Sequence, residues 1–314
     1  MSSELSHIFP VKLRQKLTGF DFMKEGYTEL RFRCNAPITF LRGCEEYFLH
    51  SQGGITKERE KAYLISVNEI REMIEYISNF SVYAYEEELR QGFLTIQGGH
   101  RVGLCGKVVL QDGNIKTIRN ISFLNIRLAR EKKGCAKGII PLLFEGEHLC
   151  HTLIVSPPGF GKTTLLRDMV REISNGSKEK RGKKVGVIDE RSEIGACYYG
   201  VPQNDLGSRT DVLDGCPKTL GIELLLRSMS PEVIAVDELG GEREIRLIEK
   251  SISCGCSILA TIHGEDKKQW FLKGGMERRT GIELFERYVF LKQGERPGMI
   301  EAVCNRKGEE VGCV

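Results

Sequence analysis

Lys162 and Thr163 directly follow Gly159-Phe160-Gly161, an order of residue types suited to gripping a polyphosphate. Glycines accept backbone conformations that aim successive N–H groups at one anion, a lysine adds a point charge, and a hydroxyl can ligate a divalent cation. The candidate loop comprises Ser156, Pro157, Pro158, Gly159, Phe160, Gly161, Lys162, Thr163 and Thr164, with Ser156 standing where the G-x-x-x-x-G-K-[ST] pattern has its first glycine. ATP with Mg2+ is the expected ligand, Lys162 serving the β and γ phosphates and Thr163 the metal. Acids are needed to complete such a site, and two apolar runs end in acid pairs: Asp189-Glu190 and Asp237-Glu238. The later pair fits better, because the acid-bearing strand should lie beside the loop strand and commonly follows an intervening strand and helix. Asp237 is expected to hold Mg2+ through water, and Glu238 to orient and polarise the attacking water. Asp189, Glu190 and Glu193 form a second acidic cluster, from which Glu190 is a further catalytic candidate. Thr261 and His263 close another apolar run and could sense a γ-phosphate by hydrogen bonding.

The elements that must position these groups are legible around them. The apolar run Leu153-Ile154-Val155 predicts a strand into the loop, and Leu165, Leu166, Met169, Val170 and Ile173 recur at helical spacing after it. Upstream, residues 28–33 alternate as a half-buried strand; Ser66 and Glu69 have capping-box spacing before a helix to about Asn79; a second helix is expected over 83–90. Further strands are expected at 93–96, 101–110, 115–118 and 122–128, with Asp112-Gly113 as a hairpin signal. The chain should close with a hairpin of 287–292 and 299–305. A charged, glycine-bearing stretch at 130–138 separates the two patterns, so the expected organisation is an α+β domain over 1–135 and an α/β P-loop domain over 136–314.

Composition narrows the class. Of 314 residues, 40% are hydrophobic and 28% charged, which excludes wholesale disorder. No run approaches the roughly 18 apolar residues of a membrane helix. Residues 1–7 lack a basic segment followed by an apolar one, so no secretory signal is expected and synthesis should end in the cytosol. The 11 cysteines are scattered without a C-x-x-C pair, which points to reduced buried thiols rather than disulfides or zinc. A net charge of +3 is too balanced to imply nucleic acid; the basic run 178–184 reads as a solvated loop or a contact with an anionic surface.

The P-loop region, with 226–238 and 261–263, resembles the ATPases of type II secretion and type IV pilus systems. Within that superfamily the stretches 83–92, 98–106, 124–130, 209–216 and the Ser156-Pro157-Pro158-Gly159 variant resemble more closely the stage III sporulation protein AA family of endospore-forming bacteria. The resemblance implies a RecA-like P-loop ATPase domain preceded by a smaller α+β domain. It also implies a homo-oligomeric ring, a hexamer with nucleotide between neighbouring subunits. The ring would sit on the mother-cell side of the forespore membrane, docked on a polytopic membrane platform protein, and energise a channel between the two cells. Such a ring needs cations at the γ-phosphate; His100, Arg101, Arg127 and Arg130 in the amino-terminal domain and Arg191 and Arg209 in the ATPase domain are the candidates, of which the resemblance favours Arg101, Arg127 and Arg209. Two departures stand out: the paired-cysteine zinc motif of many secretion ATPases is absent, and the amino-terminal domain is shorter. Two other readings compete with the motor, an ATP-gated assembly scaffold with negligible turnover and a nucleic-acid-dependent ring ATPase. The latter lacks aromatics interleaved with the basic run, so no nucleic acid is expected.

Overall fold

The structure is a computed structural model, and it describes residues 3–79, 89–90, 92–264, 266–272, 284–292 and 298–312. The chain divides into two compact units, Met1–Arg130 and Glu131–Val314, slightly ahead of the expected boundary at 135. The reason is local: the amides of Gly134 and Ala136 donate to Asp168 at 3.0 and 2.7 Å, which ties this stretch to the P-loop helix.

The amino-terminal unit is an antiparallel sheet of seven strands: β1 (Glu29–Arg33), β2 (Thr39–Arg42), β3 (Glu45–Leu49), β4 (Ile55–Thr56), β5 (Phe93–Ile96), β6 (His100–Gln111) and β7 (Asn114–Arg127), in the order β4-β3-β2-β1-β7-β6-β5. Leu30 and Phe32 of β1 face inward while their neighbours are half-buried, as period-two alternation requires. Helix Val67–Ile77 begins at the expected capping box: the Glu69 amide donates to Ser66 Oγ at 3.3 Å and the Ser66 amide to Glu69 Oε2 at 2.9 Å. Its Ile70, Met73 and Ile77 join the core. Asp112 and Gly113 have φ of 51° and 78°, the left-handed pair of a two-residue hairpin turn between β6 and β7. The two strands expected at 115–118 and 122–128 are one continuous strand, because the ladder with β6 runs through and a bulge between Cys105 and Lys107 absorbs the irregularity. The helix expected over 83–90 lies largely outside the described residues.

The second unit is layered. After a short hairpin of β8 (Phe144–Glu145) and β9 (His148–Leu149), its sheet comprises β10 (Thr152–Ser156), β11 (Val185–Asp189), β12 (Thr210–Asp214), β13 (Val233–Val236), β14 (Ser257–His263), β15 (Arg287–Leu291) and β16 (Ile300–Cys304), in the order β12-β11-β13-β14-β10-β15-β16. All neighbours are parallel except β15 and β16, the expected closing hairpin, whose connection 293–297 lies outside the described residues. Both faces are covered, which explains the unbroken apolar runs. Ile154, Val187 and Leu259 pack under the P-loop helix Lys162–Asn175. Leu153, Val155, Ile234 and Ile258 pack on the opposite face with helices Lys218–Ser228, Glu242–Ser253 and Lys267–Leu272. One expectation is corrected here: β13 is not the neighbour of β10, because β14 lies between them and pairs with both. Among the described residues, no helix is long and apolar enough to cross a membrane.

Candidate nucleotide site

Parallel strands bring their carboxyl ends to one edge, where loops can converge on a ligand. β10 ends there at the fully buried Ser156, and the chain turns through 157–161 into the P-loop helix. Gly159 and Gly161 have φ of 80° and 93°, conformations that disfavour any side chain, and Gly161 is the residue at which the helix begins. A Cβ on Gly159 would meet nothing within 4 Å, so it is the positive φ and not crowding that calls for glycine there. Ser156 remains in the strand, paired with His263 and outside the left-handed region, so serine replaces the usual first glycine without backbone strain. Phe160 packs toward the core, and its carbonyl accepts from the Gly298 amide at 2.8 Å.

Lys162 is nearly buried. Its ammonium donates to the carbonyls of Ser156 and Pro157, both at 3.1 Å, and to His263 Nδ1 at 3.0 Å. Burial pushes its pKa down, and the carboxylates of Asp237 and Glu238 offset part of that. Thr163 Oγ1 donates to Asp237 Oδ2 at 2.5 Å, and the Thr261 hydroxyl holds the other Asp237 oxygen. Thr261 also accepts the Glu238 amide at 2.8 Å, at a residue whose φ of 54° is unusual for a non-glycine. Glu238 thus leaves β13 on a sharp bend, with Oε1 3.1 Å from His263 Nε2 and Oε2 accepting from Arg191 Nη1 at 2.6 Å. A lysine ammonium can only donate, so His263 Nδ1 must accept; the ring proton then sits on Nε2, facing Glu238. β14 therefore links the lysine on β10's loop to the glutamate after β13, which is why its insertion between them does not separate the site.

The acidic cluster after β11 divides into two parts. Asp189 is buried and accepts the amides of Glu193, Ile194 and Gly195 at 2.8, 3.0 and 2.7 Å. Burial raises its pKa, and the three amides only partly counter it; its contacts are those of a staple for its own loop. The main-chain oxygens of Glu193 and Ile194 receive the Arg167 guanidinium at 2.6 and 2.8 Å. Glu190 is exposed and pairs with Lys218 at 2.7 Å, in a small pocket that Arg191, Asp237 and Glu238 also line. Sequence reasoning missed Lys218 and undervalued Arg191; the latter's place beside the acid pair at 189–190 was the available signal.

Two of the three preferred arginines belong to the amino-terminal unit and one to the layered unit. In the amino-terminal unit, the Arg101 guanidinium lies 3.7 Å from the Phe93 ring centre, and Arg127 is largely exposed, 3.7 Å from Glu29. Arg209 caps the far end of the P-loop helix, donating to the carbonyls of Ser174 and Asn175 at 3.0 and 3.4 Å, so within its own chain it is remote from the phosphate edge. The basic run folds back on its own chain: Arg181 pairs with Glu232 at 2.5 Å and Lys180 donates to Gly146.

The layered unit has a RecA-like P-loop fold. Solved structures of similar architecture include the ATPase DotB of Legionella pneumophila, with a TM-score of 0.54 and 17% identity over 92% of this chain and 78% of that one. The pilus retraction motor PilT, solved with bound ADP, aligns with a TM-score of 0.56 and 13% identity over 90% and 79%. At the level of sequence, the chain belongs to the family Sporulation stage III, protein AA, whose model matches residues 2–311. It is 36% identical to stage III sporulation protein AA of Bacillus subtilis (strain 168) over 307 residues, 98% of this chain and 96% of that protein.

Proposed function

We propose that this chain is a Mg2+-dependent ATP-hydrolysing motor that acts in sporulation by energising a channel between mother cell and forespore. The observation carrying this reading is the convergence of Lys162, Thr163, Asp237 and Glu238 on one sheet edge, with the Thr163 hydroxyl 2.5 Å from Asp237. Thr163 and Asp237 offer hard oxygen donors of the kind Mg2+ selects, and would hold it. Bound there, Mg2+ would neutralise charge on the β and γ phosphates. Lys162 releases its strand carbonyls and His263 to bind the phosphates, while the amides of the loop and helix start wrap them. Glu238 orients a water and draws on its proton; His263 and Arg191 set where that carboxylate points. Glu190, with Lys218, borders the same pocket and completes its acidic rim.

Family membership and the likeness to a pilus motor support the remainder of the reading: a hexameric ring with nucleotide between neighbours, docked on a polytopic platform protein at the mother-cell side of the forespore membrane. In such a ring Arg101, Arg127 and Arg209 are the candidates to leave their present contacts and reach a neighbouring subunit's phosphates. Steady-state ATP hydrolysis across protein concentrations is the test. Specific activity should climb with concentration and vanish in Glu238→Gln; a flat, mutation-insensitive rate would reject the motor. One observation favours a second reading, an ATP-gated scaffold: each Glu238 oxygen is already tied to a cationic or N–H partner, Arg191 or His263, which draws electron density from the carboxylate and weakens it as a base. Under it, Glu238→Gln complements a null strain fully, whereas Lys162→Ala does not.

A further inference from the structure

At the amino ends of β10 and β15, opposite the phosphate edge, lies a second group of side chains with a different chemistry. Among the described residues, His148, Cys150 and Glu286 are one group whose ligand atoms, an imidazole nitrogen, a thiol sulfur and a carboxylate oxygen, all lie within 4.8 Å of one another. We propose that these three residues bind a late first-row divalent cation, with Zn2+ the best match to a mixed sulfur, nitrogen and oxygen donor set.

The backbone holds the three donors in place. The amides of Glu286 and Arg287 donate to the His151 carbonyl at 2.8 and 3.1 Å, and the His151 amide returns a bond to Glu286 Oε2 at 2.8 Å. The Cys150 amide donates to Leu143 O at 2.9 Å, and the cysteine itself is fully buried. His148 Nε2 stands 2.9 Å from Glu286 Oε2, so the imidazole already faces the carboxylate it would share a cation with. Outer partners are present too: Arg306 lies 3.6 Å from the second carboxylate oxygen, Oε1, and can fix its orientation. The His151 ring, with Nδ1 accepting from the Ile258 amide at 3.3 Å, presents Nε2 3.9 Å from Glu286 Oε2. Three protein donors leave a fourth position for water, with His151 beside it. A cation bound there carries two charges against one thiolate and one carboxylate, and binding releases the thiol proton. The site pins the entry of the P-loop strand to the entry of β15. It lies roughly 17 Å along the strand from the loop, at about 3.3 Å per residue, so it is separate from the place proposed for Mg2+. No spacing rule exposes it in the sequence, because Glu286 lies 138 residues from His148.

The test uses the full chain, stripped with a chelator and titrated with Co2+ alone. A thiolate-to-cobalt charge-transfer band should grow to one equivalent, release about one proton per metal and vanish on adding Zn2+. It should be lost in Cys150→Ser and kept in Cys254→Ser, a variant at an exposed thiol elsewhere. His148 is half-exposed, so His148→Ala will fold even if the buried cysteine variant does not. There the affinity should drop by more than the roughly 10–100-fold that loss of an outer partner costs. Absence of the band, or a band unchanged in His148→Ala or in Cys150→Ser, overturns the site and leaves His148 and Glu286 as an ordinary hydrogen-bonded pair.

Discussion

Replacing Glu238 by Gln removes one negative charge from the point where water must be polarised while keeping the side chain's shape. The structure lets three consequences be sized. On stability, the amide oxygen can still accept from His263 Nε2, and what is lost is the bond from Arg191 at 2.6 Å. Arg191 is 65% exposed, and ion pairs in that setting contribute about 0–1 kcal/mol. The melting temperature of the variant should therefore fall by no more than about 4 °C. On binding, Glu238 is not part of the loop of 156–164, so affinity for nucleotide should be unchanged. On turnover, a positioned general base contributes about 10²–10⁴-fold, equivalent to about 3–5 kcal/mol of barrier. Steady-state hydrolysis, titration with a fluorescent ATP analogue and a thermal melt, run on the same preparations, separate the three quantities. A loss of turnover below tenfold refutes the role given to Glu238. A loss of nucleotide affinity in parallel would refute the geometry, since it would place the carboxylate against the phosphates rather than against water.

Other perturbations test other parts. Lys162→Met should weaken nucleotide binding by at least about 100-fold, as expected when a buried, charge-assisted contact is removed. The same substitution should also change the alkaline behaviour. Burial lowers the ammonium's pKa below 10.5, so the unfolded chain holds that proton more tightly and the folded wild type gains stability as pH rises from the lowered value to 10.5. Thermal melts through that range should show the gain in wild type and not in Lys162→Met. Asp168→Asn keeps one acceptor oxygen but removes the negative charge and replaces the other oxygen by a donor, so the linker amides and Arg171 cannot all keep a partner at a side chain 1% exposed; it should destabilise by about 3 kcal/mol, on the order of 10 °C in melting temperature. Burial alone would raise the Asp168 pKa, but the amides of Ala136 and Gly134 and the Arg171 guanidinium outweigh it and lower it. The wild-type advantage should thus be complete above pH 3.8 and fade as pH falls through the lowered value, which denaturant melts would reveal. Burial pushes His100 down to about 4, so it folds neutral, with Nδ1 accepting the Ala129 amide at 3.0 Å. Between pH 7 and 5 the unfolded chain takes up the proton and the native one does not, which costs about 2 kcal/mol. Chemical denaturation at the two pH values should show that loss in wild type and a smaller one in His100→Gln.

What could be read from the sequence was what local chemistry encodes. The loop and its helix need glycines and apolar residues within about twenty positions, and a capping box spans only four, so both were legible at residue resolution. The acid pairs were legible for a related reason: a strand buried on both faces must be a short apolar run, and its first polar residues mark the ligand edge. Strand order was not. Placing Asp237 one strand from the loop gave the right edge but the wrong neighbour, because nothing in a strand's own residues says which partner it pairs with. β14 takes the intermediate place and supplies Thr261 and His263 to the strands on either side. That arrangement explains why a threonine and a histidine close this strand: Thr261 bonds both acids after β13, and His263 bridges Lys162 to Glu238. Lys218 stayed hidden and Arg191 was only a secondary candidate because their partners are 28 and 47 residues away, distances at which a charged residue in a sequence looks like any solvated one. His263 therefore has a definable consequence for coupling. Its Nδ1 lies on Lys162 and its Nε2 on Glu238, so on the motor proposed above, movement of Lys162 onto a phosphate would free the ring and with it one of the two contacts that fix the Glu238 carboxylate.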